Sequence, residues 1–255
     1  MRQLALFDDE PEPGRPRRGR APSLAESPAP AALPAGLDAI AARLDPRLRL
    51  GTSSWSFPGW TGLVYAAPAP KQILSRQGLA AYASHPLLRT VGVDSGFYAP
   101  LDAGRLSSYA AQTPDGFRFL VKAPASLTDP RPRGPSRSED NRGFLDPGRA
   151  VAEAVAPFVD GLGPRAGVLL FQFPPLGRAI TARPRRFAEG LYRFLRGLPK
   201  GPTYGVELRD RELLTPDLVA ALHHGGATAG LAVHPRLPGL GAQMALFGDD
   251  PAHPL

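Results

Sequence analysis

The sequence predicts an α/β protein built on a mainly parallel sheet. Short β-branched or aromatic runs alternate with helix-like stretches over six units from about residue 37 onward. Polar residues follow these apolar runs repeatedly, as they do at the carboxyl ends of buried parallel strands. Such an alternation implies right-handed crossovers. A (β/α) barrel and a doubly wound sheet would both fit this pattern.

The apolar runs predict six strands, and the stretches between them predict five helices. The predicted strands are Arg47–Ser53, Leu88–Asp94, Phe117–Lys122, Gly167–Phe173, Tyr204–Leu208 and Thr228–Val233. The predicted helices cover residues 71–84, 102–112, 147–160, 182–198 and 215–224.

Several predicted helices begin with suitable capping chemistry. Asp102 and Thr181 can accept hydrogen bonds from free backbone N–H groups of a first turn. Proline follows Asp146 and Thr215, at the first helical position where its missing N–H costs nothing. The pair Gly225-Gly226 is typical of a helix end and closes the fifth helix.

The two ends of the chain differ in composition from its centre. Residues 8–36 consist mainly of Pro, Ala, Arg, Glu and Gly, which cannot bury enough surface to offset chain entropy. We therefore predict a disordered tail over residues 1–45, a barrel domain over residues 46–236 and an irregular C-terminal tail over residues 237–255.

Composition excludes several classes of protein. The chain has no Cys, which rules out disulfides, thiol nucleophiles and Cys-ligated metal centres. No apolar run approaches the ~18 residues of a membrane span. The first twenty residues carry acids and prolines, unlike a signal peptide. We expect a soluble cytoplasmic protein without a membrane partner.

The net charge of +7 is unevenly distributed along the chain. Residues 176–200 carry seven Arg or Lys against Glu189 alone, so their net charge is 7 − 1 = +6. Such a stretch can contact the phosphates of a nucleic acid, or it can form the solvated face of an outer helix.

Candidate catalytic residues stand at the predicted strand ends. Lys122, Glu207 and Asp94 are the candidates for acid–base chemistry, because burial can tune a lysine and carboxylates exchange protons. Strand alternation places Glu207 and Arg209 on one face. The alternatives are structural: Lys122 pairs with Glu207 or Asp94, Glu207 forms a salt bridge with Arg209, and Asp94 caps the next turn.

Five further residues are candidates for substrate binding. They share positions at or just after strand ends, and they are Arg209, Gln172, Tyr98, Trp55 and Ser53. Arg209 would hold an anion, and an indole can stack on a sugar or base. The alternative for Trp55 is that it closes one end of the barrel. No motif or ligand spacing requires a cofactor or a metal, and we predict neither.

These strand-end segments together resemble the "domain of unknown function 72" (DUF72, YecE-like) family. The matching segments are Gly51-Thr-Ser-Ser-Trp-Ser-Phe-Pro-Gly-Trp60, Thr90-Val-Gly-Val-Asp-Ser-Gly-Phe-Tyr98, Thr113-Pro-Asp-Gly-Phe-Arg-Phe-Leu-Val-Lys-Ala123, Val168-Leu-Leu-Phe-Gln-Phe-Pro-Pro175 and Val206-Glu-Leu-Arg209. The resemblance implies a TIM-type (β/α) barrel and no established activity. Where the family often has Val-Glu-x-Asn-Ser-Thr-Phe-Tyr, this chain has Gly92, Asp94 and Gly96.

The length predicts an incomplete barrel. Subtracting a 45-residue tail from 255 residues leaves 210, whereas an eight-unit barrel takes about 250. Only six strands can be counted, and the closing strands, which end in an Asn-Asn segment in the family, are missing. We therefore predict an incomplete barrel of about six βα units, open at the edges of its first and last strands.

A second resemblance lies near the N-terminus. Gln3, Leu4, Leu6 and Phe7 are similar to the peptide by which bacterial DNA polymerases and repair proteins dock on the replication sliding clamp. An extended peptide of this kind places Leu and Phe in an apolar cleft. The alternative is an N-terminal segment that packs on the barrel. Residues 243–247 repeat the pattern, and the alternative there is a helix.

Three functions follow from these observations. The first is an enzyme with a polar site at the strand ends, acting by acid–base chemistry on a small phosphorylated or sugar-like substrate. The second is a DNA-repair or replication accessory protein that docks on the sliding clamp through residues 3–7 and contacts nucleic acid through residues 176–200. The third is a truncated, non-catalytic barrel.

Overall fold

The computed structural model describes residues 27–131 and 141–248. The clamp-like segment over residues 3–7 and most of the predicted tail lie outside these described residues.

The described residues form one parallel sheet whose six strands follow each other in chain order. The strands are β1 (Leu50–Thr52), β2 (Leu88–Val93), β3 (Arg118–Lys122), β4 (Ala166–Gln172), β5 (Thr203–Glu207) and β6 (Ala227–Ala229). A doubly wound sheet reverses its strand order at a switch point, whereas this order runs from β1 to β6 without reversal. The predicted α/β fold with six barrel-type βα units is confirmed.

Helices connect every pair of neighbouring strands. The α-helices are α1 (Leu37–Arg43), α2 (Lys71–Gln77), α3 (Leu79–Ala83), α4 (Ser95–Tyr98), α5 (Ala103–Ala110), α6 (Ala125–Thr128), α7 (Pro147–Ala150), α8 (Ala156–Leu162), α9 (Arg178–Thr181), α10 (Pro184–Arg196), α11 (Pro216–Gly225) and α12 (Leu240–Phe247). A π-helical turn over Val151–Val155 joins α7 and α8. Short 3₁₀ turns cover Pro58–Trp60, Gly163–Arg165 and Arg211–Leu213.

The two faces of the sheet differ in burial. One face carries large apolar side chains that pack on the helices: Phe171 of β4 lies 5.0 Å, ring centre to ring centre, from Phe194 of α10. Alternate residues on the other face are mostly half-buried, including Thr90, Leu120 and Thr228. Within the described residues β1 does not pair with β6. We call this second face the open face.

Helix capping follows the sequence at three predicted starts. The side chains of Asp102, Asp146 and Thr215 accept hydrogen bonds from the backbone N–H groups of Arg105, Arg149 and Leu218. Gly226 ends α11 in the left-handed conformation, at φ 75°. The predicted cap at Thr181 is wrong. This residue ends the short helix α9, and Pro184 begins α10 three residues later.

The predicted irregular tails need correction at both ends. Residues 37–43, placed in the disordered tail by composition, form α1. Residues 240–247, placed in the irregular C-terminal tail, form α12. The side-chain amide of Gln243 anchors α12 to the preceding segment, because its Nε2 donates to the carbonyl oxygens of Ala232 and Pro238 at 2.9 and 2.7 Å. The second copy of the clamp-like pattern is therefore part of a helix.

None of the helices within the described residues is long and apolar enough to cross a membrane.

Buried tyrosines predict a loss of stability at alkaline pH. Burial raises the pKa of Tyr204 from its ordinary value of 10.0 to about 12, and it also raises the pKa values of Tyr65 and Tyr82. Above pH ~10 the unfolded chain loses phenolic protons that the folded chain keeps. The free energy of unfolding should then fall by about 1.4 kcal/mol per pH unit and per tyrosine, until the pH passes the folded pKa.

Urea titrations at pH 8, 10 and 11, with absorbance at 295 nm to follow phenolate formation, measure this effect. Tyr204→Phe should reduce the alkaline loss, although removing the hydrogen bond to the carbonyl oxygen of Pro199 costs about 1 kcal/mol at pH 8. A midpoint that stays constant from pH 8 to 11 would contradict the prediction.

Candidate active site

Asp94 and Lys122 form the first charged pair of the site. Val93 of β2 lies opposite Val121 of β3 in the parallel register, so the next residues along each strand are neighbours. The Nζ of Lys122 lies 2.9 Å from Oδ1 of Asp94. Both side chains belong to the open face, because the residues before them, Val93 and Val121, are buried on the helix side. Of the two partners predicted for Lys122, the structure selects Asp94.

Glu207 lies at the centre of a second polar group, on β4 and β5. Its position in the register is opposite Gln172. The amide Nε2 of Gln172 donates to Oε1 of Glu207 at 2.7 Å. The guanidinium Nη2 of Arg209 forms an ion pair with the same oxygen. Both contacts therefore fall on Oε1, and within the described residues Oε2 of Glu207 accepts no hydrogen bond.

The two groups lie on the same face of the sheet, at the same end. Lys122 pairs in the register with Leu170, which pairs with Gly205. Glu207 comes two residues after Gly205, so strand alternation returns it to the same face. Strands are spaced by about 4.8 Å, which places the backbones of β3 and β5 about 10 Å apart.

Side chains connect the loops around this end of the sheet. The guanidinium Nη2 of Arg131 donates to the carbonyl oxygen of Pro175 at 2.8 Å, joining the loops that follow β3 and β4. The backbone N–H of Leu176 donates to Oδ2 of Asp210 at 2.7 Å, joining the loops that follow β4 and β5. These contacts fix the loops that directly follow the strands carrying the polar groups.

Two glycines allow the backbone to approach these groups closely. A Cβ on Gly96, at the start of α4, would collide with the carbonyl oxygen of Lys122. A Cβ on Gly230, just after β6, would lie 3.2 Å from Cβ of Glu207. Glycine at these two positions therefore lets the segments after β2 and β6 lie directly against a site residue.

Substituting Gly96 should therefore destabilise the protein. Gly96→Ala places a methyl group against a backbone oxygen that cannot move without shifting β3, and we expect a loss of about 1–3 kcal/mol. A matched control is Gly190→Ala in α10, whose new Cβ would make only an ordinary contact of 3.6 Å with Leu145. That change should be neutral or stabilising by up to ~1 kcal/mol. Urea midpoints measure both, and equal midpoints for the two variants would contradict the prediction.

Two predicted substrate-binding residues, Ser53 and Tyr98, lie apart from the two polar groups. Ser53 is exposed just after β1, with its backbone next to Gly92. Tyr98 is 75% exposed and lines a cleft of about 360 Å³ with Arg131 and Glu153. Its ring contacts Phe97. Neither side chain contacts Asp94, Lys122 or Glu207 through a hydrogen bond within the described residues.

Trp55 is a core residue rather than a substrate contact. Its side chain is only 6% exposed. The indole Nε1 donates to the carbonyl oxygen of Leu74 at 3.1 Å, and the ring packs edge-on against Tyr109 at 5.0 Å. These contacts tie the loop after β1 to α2 and α5. The prediction that Trp55 binds substrate is therefore not supported, and its role here is packing.

Sequence reasoning missed the supporting residues of the site. Asp210 is not among the predicted site residues, yet its carboxylate holds the loop after β4. Gly230 was not singled out, although a glycine directly after a strand signals close approach of a neighbour. Arg131 carries no local signal, because its partner Pro175 lies 44 residues along the chain.

Most of the chain matches a known protein family. Residues 49–244 match the model of a family described as "Protein of unknown function DUF72". The chain belongs to the DUF72 family. The matched range contains every residue of the site from Ser53 to Arg209, and the resemblance inferred from the strand-end segments is confirmed.

A curated relative and two solved structures are similar to parts of the chain. The UPF0759 protein YunF of Bacillus subtilis (strain 168) is 30% identical over 106 residues, which are 42% of this chain and 35% of YunF. Two crystal structures of the DUF72 family protein EF0366 from Enterococcus faecalis V583 are 18% identical, with TM-scores of 0.44 and 0.46. They cover 71% of this chain, which spans 61% and 59% of the two solved chains.

Proposed function

We propose that this DUF72 protein is an enzyme that moves protons on a small substrate held at the carboxyl ends of β2 to β5. The observation that carries the proposal is the pair of polar groups on one open face. Asp94–Lys122 lies on one side, and Gln172–Glu207–Arg209 lies on the other. A substrate between them would meet a cation and a carboxylate at once.

Glu207 is the candidate general base. Its side chain is only 13% exposed, and both of its partners hold Oε1. The carboxylate is thus fixed in orientation while Oε2 stays open to a substrate. A positioned base of this kind typically contributes 10²–10⁴-fold to a rate.

Lys122 is the candidate acid or charge stabiliser. Its ammonium has three N–H donors, and the ion pair with Oδ1 of Asp94 at 2.9 Å does not occupy all of them. The remaining donors can reach an oxygen on which negative charge develops during proton removal. Asp94 then acts as the carboxylate that holds the ammonium in place.

The chemistry favours a small substrate with oxygen functions and negative charge. Arg209 is 25% exposed, so part of its guanidinium can reach an anion beside Glu207. Phosphorylated sugars combine a phosphate with a carbonyl whose neighbouring C–H can be deprotonated. We therefore propose a phosphorylated, sugar-like substrate.

Deuterium incorporation tests this proposal directly. Ribose 5-phosphate, glucose 6-phosphate and dihydroxyacetone phosphate are incubated with the protein in D₂O, and NMR follows exchange of the C–H next to the carbonyl. We expect exchange with at least one probe, reduced by about 10²-fold or more in Glu207→Gln and Lys122→Met. Glu189→Gln, on the exposed side of α10, should exchange like the parent.

Folded protein that exchanges none of the three probes would contradict the proposed proton chemistry and would favour a binding module. Thermal melting of each variant separates loss of chemistry from loss of structure. Exchange that persists in both site variants would overturn the assignment of Glu207 and Lys122.

A second candidate function, nucleic-acid binding, rests on residues 176–200. Their seven cations are all exposed, and within the described residues only Arg185 forms an ion pair, with Glu189. α10 turns its apolar side to the sheet, through Phe187, Leu191 and Phe194. This charged face suits either solvent or a phosphate backbone.

Fluorescence anisotropy with a labelled duplex of about 20 base pairs at low salt distinguishes these two roles. Arg186→Glu with Arg193→Glu should weaken binding, whereas Arg76→Glu, exposed on α2, should do so much less. No binding at low salt would contradict the nucleic-acid role.

Docking on the sliding clamp, proposed from residues 3–7, predicts that purified clamp captures the full chain and not the chain lacking residues 1–8.

A further inference from the structure

An apolar groove of about 700 Å³ lies beside β1, away from the polar groups of the site. Six of its thirteen lining residues are leucines: Leu33, Leu37, Leu50, Leu63, Leu87 and Leu88. Leu63 is 63% exposed. Contiguous exposed apolar surface of this kind is normally covered by another group. We call it the leucine groove.

Three arginines lie at or next to the starts of β1, β2 and β3, near the groove residues in the chain but not among those that line the groove. Arg49 and Arg89 are adjacent in sequence to the groove residues Leu50 and Leu88, and Arg118 begins the neighbouring strand β3. None of the three forms an ion pair with a carboxylate of the described residues. Burial lowers the pKa of Arg49, and the charges of Arg118 and Arg89 lower it further. An acidic partner would relieve this repulsion.

The described chain begins at one wall of the groove. The backbone N–H of Ala31 donates to the carbonyl of Val64 at 3.0 Å, and the N–H of Ala66 donates to the carbonyl of Ala29 at 2.9 Å. The next residues, Ala32 and Leu33, line the groove itself. Residues 1–26 lie outside the described part of the chain, and they lead to this wall.

The sequence outside the described part complements this surface. Leu4, Leu6 and Phe7 are followed directly by Asp8, Asp9, Glu10 and Glu12. An apolar cluster followed by acids complements an apolar groove whose residues Leu50 and Leu88 have Arg49 and Arg89 next to them in the chain. The 19 residues from 8 to 26 span about 24 Å on average if flexible, which lets the segment return to the groove.

We propose that residues 4–12 dock on the leucine groove of their own chain. Leu4, Leu6 and Phe7 occupy the groove, and the acids after Phe7 lie against Arg49 and Arg89. Any partner that takes the segment around Phe7 then competes with the groove for the same apolar side chains. The groove is thereby a switch that hides or presents the N-terminal peptide.

Disulfide trapping tests the docking, since the natural chain has no Cys. The full chain carrying Phe7→Cys and Leu63→Cys is compared with one carrying Phe7→Cys and Tyr192→Cys. Tyr192 is 38% exposed on α10 and is not a groove residue. At low micromolar concentration we expect the groove pair to form an intramolecular disulfide about tenfold faster than the control pair, because docking raises its effective concentration.

Three results would overturn the proposal. Equal rates for the two pairs would mean that the segment does not dock on the groove. Disulfide-linked dimers would assign the groove to a second copy. An unchanged trapping rate in the variant with Arg49→Glu and Arg89→Glu would show that the acids do not contact these arginines. Slower trapping in that variant, restored by adding Asp8→Arg and Asp9→Arg, supports the contact. Thermal melting confirms that each variant is folded.

Discussion

Replacing Phe171 by alanine is expected to lower the free energy of unfolding by about 3–5 kcal/mol. Phe171 is the last residue but one of β4 and is fully buried. Its ring packs edge-on against Phe194 of α10 at 5.0 Å and lies 6.1 Å from the ring of Tyr204 on β5. Removal of the ring leaves a cavity between the sheet and α10 that the two neighbouring rings cannot fill.

Urea denaturation followed by far-UV circular dichroism measures this loss through the midpoint at constant slope. The matched control is Tyr192→Ala, on the exposed side of α10, which should change the free energy by no more than about 0.5 kcal/mol. A loss below ~1 kcal/mol for Phe171→Ala would mean that β4 and α10 do not pack as described.

The main elements of the fold were predictable because local signals and tertiary packing agree. The helix after Asp102 is an example: the side chain caps the first turn, and Leu106 and Tyr109 then face the core. In β3, alternation likewise separates the buried Phe119 and Val121 from their half-buried neighbours. Where the local signal was absent, as at α12, the decisive contact was the side chain of Gln243 on distant carbonyl groups.

The candidate site was predictable residue by residue but not pair by pair. Strand alternation placed Glu207 and Arg209 together, and the ion pair confirms this. The partner of Lys122 depends on the register between β2 and β3, which sequence does not encode locally. The contact of Gln172 with Glu207 depends in the same way on the register of β4 and β5. Burial of Trp55 depends on where α2 and α5 lie.

The second large effect concerns the ion pair of Glu207 and Arg209. Arg209→Met alone should cost about 1–3 kcal/mol, since it leaves a carboxylate that is only 13% exposed without its guanidinium. Partial exposure of the pair keeps this loss below the 3–5 kcal/mol of fully buried pairs. Adding Glu207→Gln should restore stability to within about 1 kcal/mol of the parent, because a neutral amide no longer needs the cation.

A double-mutant cycle on urea-derived free energies measures the coupling between the two positions. The exposed pair Arg185–Glu189 of α10 serves as the control, with an expected coupling of at most about 0.5 kcal/mol. Additive losses at Glu207 and Arg209 would contradict the described contact. A double variant that is as stable as the parent but exchanges no deuterium would show that stability does not require this pair. The charged pair would then serve the chemistry of the Glu207 carboxylate, because a neutral pair would fold equally well.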